Sequence, residues 1–207
     1  MMTQVDNTRW WWVRHAPVTH LQDYVYGDSD PPADVSDVSL FDSAARRLPA
    51  DAVWIVTNLQ RTQQTAQAIA QAGYALPEPL VESAFREQGF GDWHGRLHVE
   101  RNAERTDDFI GIWNCGPDEI PPGGESFVDL MTRVSSAIDR LTEQYKGRDI
   151  VCVAHGGSIR AALAHALGLS PALALSFGIE NVSLTQIERL HSESAAGLRW
   201  RVRSVSA

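Results

Sequence analysis

Two arginines and two histidines follow short apolar stretches that are spaced along the chain. Arg14 and His15 come directly after RWWWV, Arg61 follows AVWIV by five residues, and His155 comes directly after DIVCVA. If these stretches are neighbouring parallel strands, their carboxyl ends meet at one rim of a sheet and the four side chains lie together there. Arginine offers a planar set of donors that matches phosphate oxygens, and a neutral imidazole can attack phosphorus. The pattern therefore predicts phosphoryl chemistry at this rim.

Two further features complete such a site. The Gly156-Gly157 pair opens a predicted helix, whose free N–H groups and positive dipole favour an anion. The segment SAFREQGFGDWHG at 83–95 supplies Glu87 among aromatic residues and glycines. A carboxyl group in that setting can protonate a leaving oxygen and then activate the water that completes hydrolysis. We therefore expect Glu87 to be the general acid, in chemistry that requires neither a metal nor an organic cofactor.

Five short runs predict the strands that must position these groups. Three are almost continuously apolar, as expected of strands covered on both faces, at 9–13, 52–56 and 149–154. Two later runs, 182–190 and 198–205, alternate apolar with polar residues and predict a hairpin through 191–197 at a more exposed edge. The three tryptophans of the first run are expected to pack in the core and on the sheet face.

Helical patterns lie between the strands. They cover 59–73, 125–147 and 158–168. Glu125 is expected to cap the start of the second helix, where a carboxylate meets free N–H groups. Strands alternating with helices predict an α/β fold. We expect a three-layer sandwich, with a mostly parallel central sheet flanked by helices, in a single domain over residues 1–207.

The residues around these groups resemble the motifs of the histidine phosphatase superfamily, also called phosphoglycerate-mutase-like. The matching segments follow one another in the family's order over most of the chain. They are RHA at 14–16, TNLQRTQQTA at 57–66, EQGFGDWHG at 87–95, GES at 124–126 and VAHGGSIRA at 153–161. Any one of them is a weak signal, but five in register are highly specific.

The resemblance implies a role for each of the rim residues. His15 would be the phosphorylated nucleophile, Glu87 the proton donor, and Arg14, Arg61 and His155 the rest of the phosphate pocket. Asn58 and the backbone of Gly156 would add phosphate contacts. On the substrate side, Tyr26 is expected to line the leaving-group pocket, together with Tyr24 and Trp113, and His94 to lie at its entrance.

The chain departs from the family pattern at positions that bear on the substrate. Ala16 replaces the usual glycine, Pro17-Val18 stands where a Glu-Thr pair is common, and His94 replaces a frequent glutamate. None of these changes removes a catalytic group. The segments YVYGDSDPPA at 24–33 and FREQGFGDWHGR look most like the alpha-ribazole phosphatases, enzymes of cobalamin assembly. Two alternatives stay open, a phosphomutase using the same phosphohistidine and a non-catalytic module that binds a phosphorylated ligand.

Composition restricts the partners. The 207 residues carry 18 Lys and Arg against 26 Asp and Glu, a formal net charge of −8, which argues against nucleic acid held by a generally basic surface. No stretch is apolar enough for a membrane helix, and the first residues lack the pattern of a signal peptide. The two cysteines lie in unrelated contexts and predict neither a disulfide nor a zinc site. We expect a cytoplasmic monomer or homodimer that acts on a small phosphorylated substrate.

Overall fold

A single mixed sheet of six strands forms the centre of the molecule. The computed structural model describes residues 7–191 and 197–207. The strands are β1 (Thr8–Arg14), β2 (Val53–Val56), β3 (Leu80–Val81), β4 (Asp149–Ala154), β5 (Leu184–Arg189) and β6 (Trp200–Ser204). They lie in the order β3-β2-β4-β1-β5-β6. The first four in this order are mutually parallel, β5 runs antiparallel to β1, and β6 runs antiparallel to β5.

Helices cover both faces of this sheet. They are α1 (Val38–Arg47), α2 (Gln60–Gln71), α3 (His98–Ala103), α4 (Phe127–Gln144), α5 (Gly156–Leu167) and α6 (Pro171–Leu175). The apolar faces of α4, α5 and α6 pack into one core cluster, and those of α1 and α2 pack into a second. The predicted three-layer α/β sandwich with a mostly parallel sheet is confirmed. Within the described ranges, no helix is long and apolar enough to cross a membrane.

The strand β1 owes its central place to its tryptophans. Trp10 and Trp12 are fully buried and stack with ring centroids 5.2 Å apart, while Phe85 meets both rings edge to face. The Trp10 indole N–H donates to Thr142 Oγ1 over 3.0 Å, which satisfies a polar group that burial would otherwise penalise. These rings pack on one face of the sheet, Val13 is buried in the core cluster on the other face, and the strand predicted at 9–13 is confirmed.

Most of the predicted elements agree with the structure to within a few residues. The strands predicted at 52–56 and 149–154 correspond to β2 and β4, and the runs at 182–190 and 198–205 contain β5 and β6. The turn predicted between the last two includes residues 192–196, which lie outside the described residues. The prediction missed β3, α1, α3 and α6; of these, β3, α3 and α6 are too short to show a hydrophobic repeat.

The capping role predicted for Glu125 is wrong. Ser126 is the N-cap of α4: its hydroxyl accepts from the Asp129 backbone N–H, and the Asp129 carboxylate accepts from Ser126 N in return. Such a reciprocal capping box satisfies two helix-end donors at once. The Glu125 carboxylate, which precedes α4, instead pairs with Arg133 of that helix, with Arg133 Nε 3.0 Å from Glu125 Oε2.

Candidate active site

The carboxyl ends of β1 and β4 bring the two predicted histidines together. These strands are parallel neighbours in which Arg14 is paired with Ala154, so the next residue of each strand, His15 and His155, emerges at the same level. Their ring centroids are 5.2 Å apart, and both side chains are buried. The sheet register alone therefore places two imidazoles side by side at the rim.

Backbone groups hold the His15 ring in one tautomer. Its Nδ1 lies 2.6 Å from the carbonyl oxygen of Ala16, which can only accept, so Nδ1 carries the proton and donates. In the neutral ring the lone pair is then on Nε2. The Asn181 amide donates to the His15 carbonyl over 2.7 Å, and Ala16 N donates to Thr65 Oγ1 over 2.8 Å, which anchors the backbone on either side of the ring.

Burial and positive neighbours keep both imidazoles neutral. The pKa of His15 lies well below the ordinary value of 6.5, first because the ring is buried and then because Arg61 and Arg14 repel a second positive charge. Burial, followed by Arg61 and His15, likewise lowers the pKa of His155 well below 6.5. A neutral ring with a free lone pair is the state in which histidine acts as a nucleophile.

Helix starts position the remaining rim groups. His155 is the N-cap residue of α5, and its Nε2 lies 3.0 Å from Thr57 Oγ1, at the end of β2. Arg61 lies in the first turn of α2 and is fully buried; its guanidinium donates to the carbonyls of Ser29 and Gly27, each over 2.7 Å. The Arg14 guanidinium donates to the Ile179 carbonyl over 2.5 Å.

Several buried nitrogen atoms at this rim have no hydrogen-bond partner among the described residues. They are the Nε of Arg14, the Nε of Arg61 and the Nδ1 of His155. A buried polar group without a hydrogen bond costs about 1–3 kcal/mol, and more if it is charged. Burial also lowers the pKa of Arg61, because the charged guanidinium has lost its hydration there. The unpaired N–H groups of two guanidinium cations beside a neutral imidazole fit an anionic acceptor such as a phosphoryl group.

Glu87 reaches the same rim from the loop that follows the short 3-10 turn Ser83–Phe85. Its carboxylate accepts from Gly157 N, with distances of 3.1 and 3.2 Å to the two oxygens, and from Gln88 N at 3.0 Å. A Cβ atom added at Gly157 would lie 2.3 Å from Glu87 Oε1, so only glycine allows this approach. The first turn of α5 thus holds the carboxylate rather than leaving all its N–H groups to a ligand.

Two arginines that the sequence argument left without a role support Glu87 and its surroundings. Arg133 donates to the carbonyls of Ala84, Arg86 and Glu87, which fixes the loop carrying the carboxylate. Arg160, within the second histidine motif, donates to the Phe177 carbonyl over 2.8 Å. Burial lowers the pKa of Arg160 to about 10. Its place four residues after Gly156, and so on the same face of α5, was the signal that could have identified it.

A cavity of about 340 Å³ opens beside Arg14 and Glu87. Its other lining residues are Tyr24, Tyr26, Gly27, Phe90, His98, Asn102, Gly111, Ile112, Trp113 and Asn114. The structure therefore places Tyr24, Tyr26 and Trp113 where the sequence argument expected the leaving group. A second cavity of about 260 Å³ shares Arg14, Tyr26 and His98 with the first.

For two predicted site residues, the described part of the chain shows no hydrogen bond to the rim groups. Asn58 is exposed just before α2 and lines neither cavity. His94 also lines neither; its Nε2 accepts from Phe90 N over 3.1 Å and lies 3.3 Å from Asp28 Oδ1, so its contacts are with the loop around Gly27 and Phe90. The residues described contain no group of three His, Cys, Asp or Glu side chains that could hold a metal ion.

Comparison with known proteins agrees with this geometry. The sequence profile of the histidine phosphatase superfamily (branch 1) matches residues 10–201. Phosphoglycerate mutase-like protein 4 of Arabidopsis thaliana is 36% identical over 106 residues, which are 51% of this chain and 46% of that protein. The chain thus spans about half the length of this relative.

Two solved structures share the fold over nearly the whole chain. A mycobacterial glucosyl-3-phosphoglycerate phosphatase superposes with a TM-score of 0.77 and 25% identity, covering 97% of this chain and 99% of that one. The alpha-ribazole phosphatase of Shigella flexneri has a TM-score of 0.77 at 21% identity, covering 96% of each chain, which is a likeness of fold. Because the family profile spans all the rim motifs, this chain belongs to the histidine phosphatase superfamily, branch 1.

Proposed function

We propose that this protein is a phosphomonoesterase that works through a phosphohistidine on His15. The observation that carries the proposal is the pair of unpaired buried guanidinium N–H groups of Arg14 and Arg61, which accompany a neutral imidazole whose Nδ1 is fixed as the donor to the Ala16 carbonyl. A phosphoryl group satisfies those donors and puts its phosphorus before His15 Nε2.

In the first half-reaction, the lone pair of His15 Nε2 forms a bond to phosphorus while the bond from phosphorus to the ester oxygen breaks. Glu87 gives its proton to that oxygen, and the alcohol leaves. The guanidinium groups of Arg14 and Arg61, with His155, stabilise the negative charge on the three oxygens that do not react.

In the second half-reaction, the Glu87 carboxylate takes a proton from water. The water oxygen bonds to phosphorus as the bond from His15 Nε2 to phosphorus breaks, so inorganic phosphate leaves and the neutral ring returns. The hydrogen bonds from Gly157 N and Gln88 N keep the same carboxylate in position for both steps.

The nucleophile is tested with the His15→Ala variant. We expect this variant to keep its fold and to release no phosphate from any monoester above the uncatalysed rate. His165→Gln, at the far end of α5, is the matched control and keeps normal activity. Brief mixing of the wild-type protein with labelled substrate should trap an acid-labile phosphoenzyme that the His15→Ala variant does not form. Near-native turnover by His15→Ala would refute the proposal.

Two further outcomes correspond to the alternatives that the sequence left open. A phosphomutase returns a rearranged monoester instead of free phosphate, so product analysis separates it from a hydrolase. A binding module binds phosphate esters and turns over none. The Glu87→Gln variant adds a third measure: hydrolysis should slow by about 10²–10⁴, and less for esters with good leaving groups, because those require less protonation.

For the substrate we propose alpha-ribazole 5′-phosphate, within cobalamin assembly. The support is the resemblance of the segments at 24–33 and around Glu87 to that group of phosphatases. Phosphate release from a panel containing alpha-ribazole 5′-phosphate, glucosyl-3-phosphoglycerate and 3-phosphoglycerate tests this choice. A higher kcat/KM for either phosphoglycerate would overturn the substrate while leaving the phosphatase proposal standing.

A further inference from the structure

Two cavities border Arg14, and the larger one also borders Glu87, so they offer the space for a leaving group. The larger, of about 340 Å³, is near the lower end of the range of small-molecule sites, roughly 300–1,000 Å³. The smaller, of about 260 Å³, is lined by Pro17, Val18, Thr19, Gln22 and Asn181 in addition to the shared Arg14, Tyr26 and His98. A three-carbon leaving group would leave most of this space unfilled.

Charged side chains are scarce on these walls. Among the described residues that line either cavity, Arg14 and Glu87 alone are arginine, lysine, aspartate or glutamate. Both are already committed to the phosphoryl group and the leaving oxygen. A second carboxylate or phosphate on the leaving group would lose its hydration and meet no free cation among the described lining residues.

The remaining lining chemistry is aromatic and neutral. Tyr24, Tyr26, Phe90 and Trp113 offer ring surfaces in the larger cavity, where Asn102 and Asn114 add amide groups. In the smaller cavity, Thr19, Gln22 and Asn181 offer neutral donors and acceptors. Aromatic walls with a few amides favour a planar ring, and hydroxyls and amides favour sugar-type hydroxyl groups.

We infer that the site selects phosphate esters whose leaving group is uncharged and combines a planar ring with hydroxyl groups, and that it rejects esters carrying a second anion. This selectivity rests on the proposed phosphomonoesterase function. It concerns the charge and shape of the leaving group, so it separates esters that the same phosphohistidine chemistry would otherwise treat alike.

The rejection of a second anion is tested with a matched pair of esters, glycerol 3-phosphate and 3-phosphoglycerate. The first carries a hydroxymethyl group where the second carries a carboxylate. At pH 8, kcat/KM should be at least about tenfold higher for glycerol 3-phosphate. The Ile112→Arg variant places a cation at the half-exposed wall and should shift this ratio about three- to tenfold toward 3-phosphoglycerate. Ile112→Gln is its neutral control, and Ile120→Arg, exposed outside both cavities, should leave the ratio unchanged.

The ring is tested with ribose 5-phosphate against adenosine 5′-monophosphate, which share the leaving oxygen. We expect roughly tenfold higher kcat/KM for adenosine 5′-monophosphate, which carries the planar ring. The Tyr24→Ala variant should reduce this preference, and Tyr24→Phe should retain it. Calorimetric dissociation constants of all four esters on the His15→Ala variant repeat both comparisons without turnover. Equal or better use of 3-phosphoglycerate, or equal binding within each pair, overturns the inference. Phosphate release without those preferences refutes only the selectivity and leaves the proposed function intact. Binding preferences without any phosphate release refute only the proposed function.

Discussion

The contact between Gly157 and Glu87 gives a sharp test of how the proton donor is held. In a Gly157→Ala variant the added Cβ would lie 2.3 Å from Glu87 Oε1, whereas ordinary contact begins at roughly 3.4 Å. The carboxylate must therefore retreat by about 1 Å. Misplacing a reacting group by that distance costs on the order of 10² in rate, about 2.7 kcal/mol of transition-state stabilisation. We expect kcat for alkyl phosphates to fall about 100-fold.

The same substitution should change stability far less. Alanine in a helix is favoured over glycine by about 0.5–1 kcal/mol, which opposes an overpacking cost of about 1–3 kcal/mol against Leu130 and Trp113. At about 2–4 °C for each kcal/mol in a chain of this size, Tm should drop by less than about 10 °C. Loss of activity would then reflect the displaced carboxylate rather than unfolding.

Two controls isolate that cause. Gly178→Ala adds a methyl group with no atom within 4 Å and should leave kcat unchanged. In a Glu87→Gln background, Gly157→Ala should cost little more, because both changes act through the same side chain. Wild-type kcat for alkyl phosphates in the Gly157→Ala protein, or fully additive losses in the double variant, would refute the assignment of this contact.

Three other predictions follow from the buried groups at the rim. Thr57→Val removes the partner of His155 Nε2 and should lower kcat/KM about tenfold and stability by about 1–3 kcal/mol in urea unfolding, whereas Thr57→Ser retains both. Arg133→Met frees the loop that carries Glu87, so kcat should fall about 10- to 100-fold with alkyl phosphates and distinctly less with nitrophenyl phosphate. His15 and His155 bind protons more readily in the unfolded chain, so the free energy of unfolding should fall as pH drops below about 6.5. The slope should reach about 2.7 kcal/mol per pH unit for the two histidines together. The His155→Asn variant should show about half that slope.

The sequence was sufficient for the rim because the rim residues directly follow the strands. His15 and His155 are each the first residue after a buried strand, so predicting the strand also predicted where the side chain emerges. Arg61 lies in the first turn of α2, five residues after β2 ends, so the position of its side chain is nearly as closely fixed by the strand. Short elements such as β3, with two residues, carry no periodicity and depend on tertiary contacts, which is why they were missed.

Contacts between distant segments were beyond the sequence argument. Nothing local to Arg133 indicates that it donates to three carbonyls some 46 to 49 residues earlier in the chain. The aromatic setting of Glu87 was visible, but the two N–H groups that hold its carboxylate were not. His94 was expected at the entrance of the leaving-group pocket because of its motif position, and the fold turns it toward Phe90 N and Asp28.

The reaction and its selectivity are encoded in different parts of the chain. The reacting groups depend on β1, β4 and the starts of α2 and α5, whereas the cavity walls come mainly from residues 17–27 and 98–114. Tyr24 forms a β-bridge with Leu97, the residue before the second segment, and His98 N donates to the Asp23 carbonyl beside it. Substitutions in the segments can therefore change which alcohol is accepted while the sheet continues to present the same nucleophile and cations. If the proposed reaction is right, exchanging residues of these walls should change the preferred ester while the phosphoenzyme on His15 still forms.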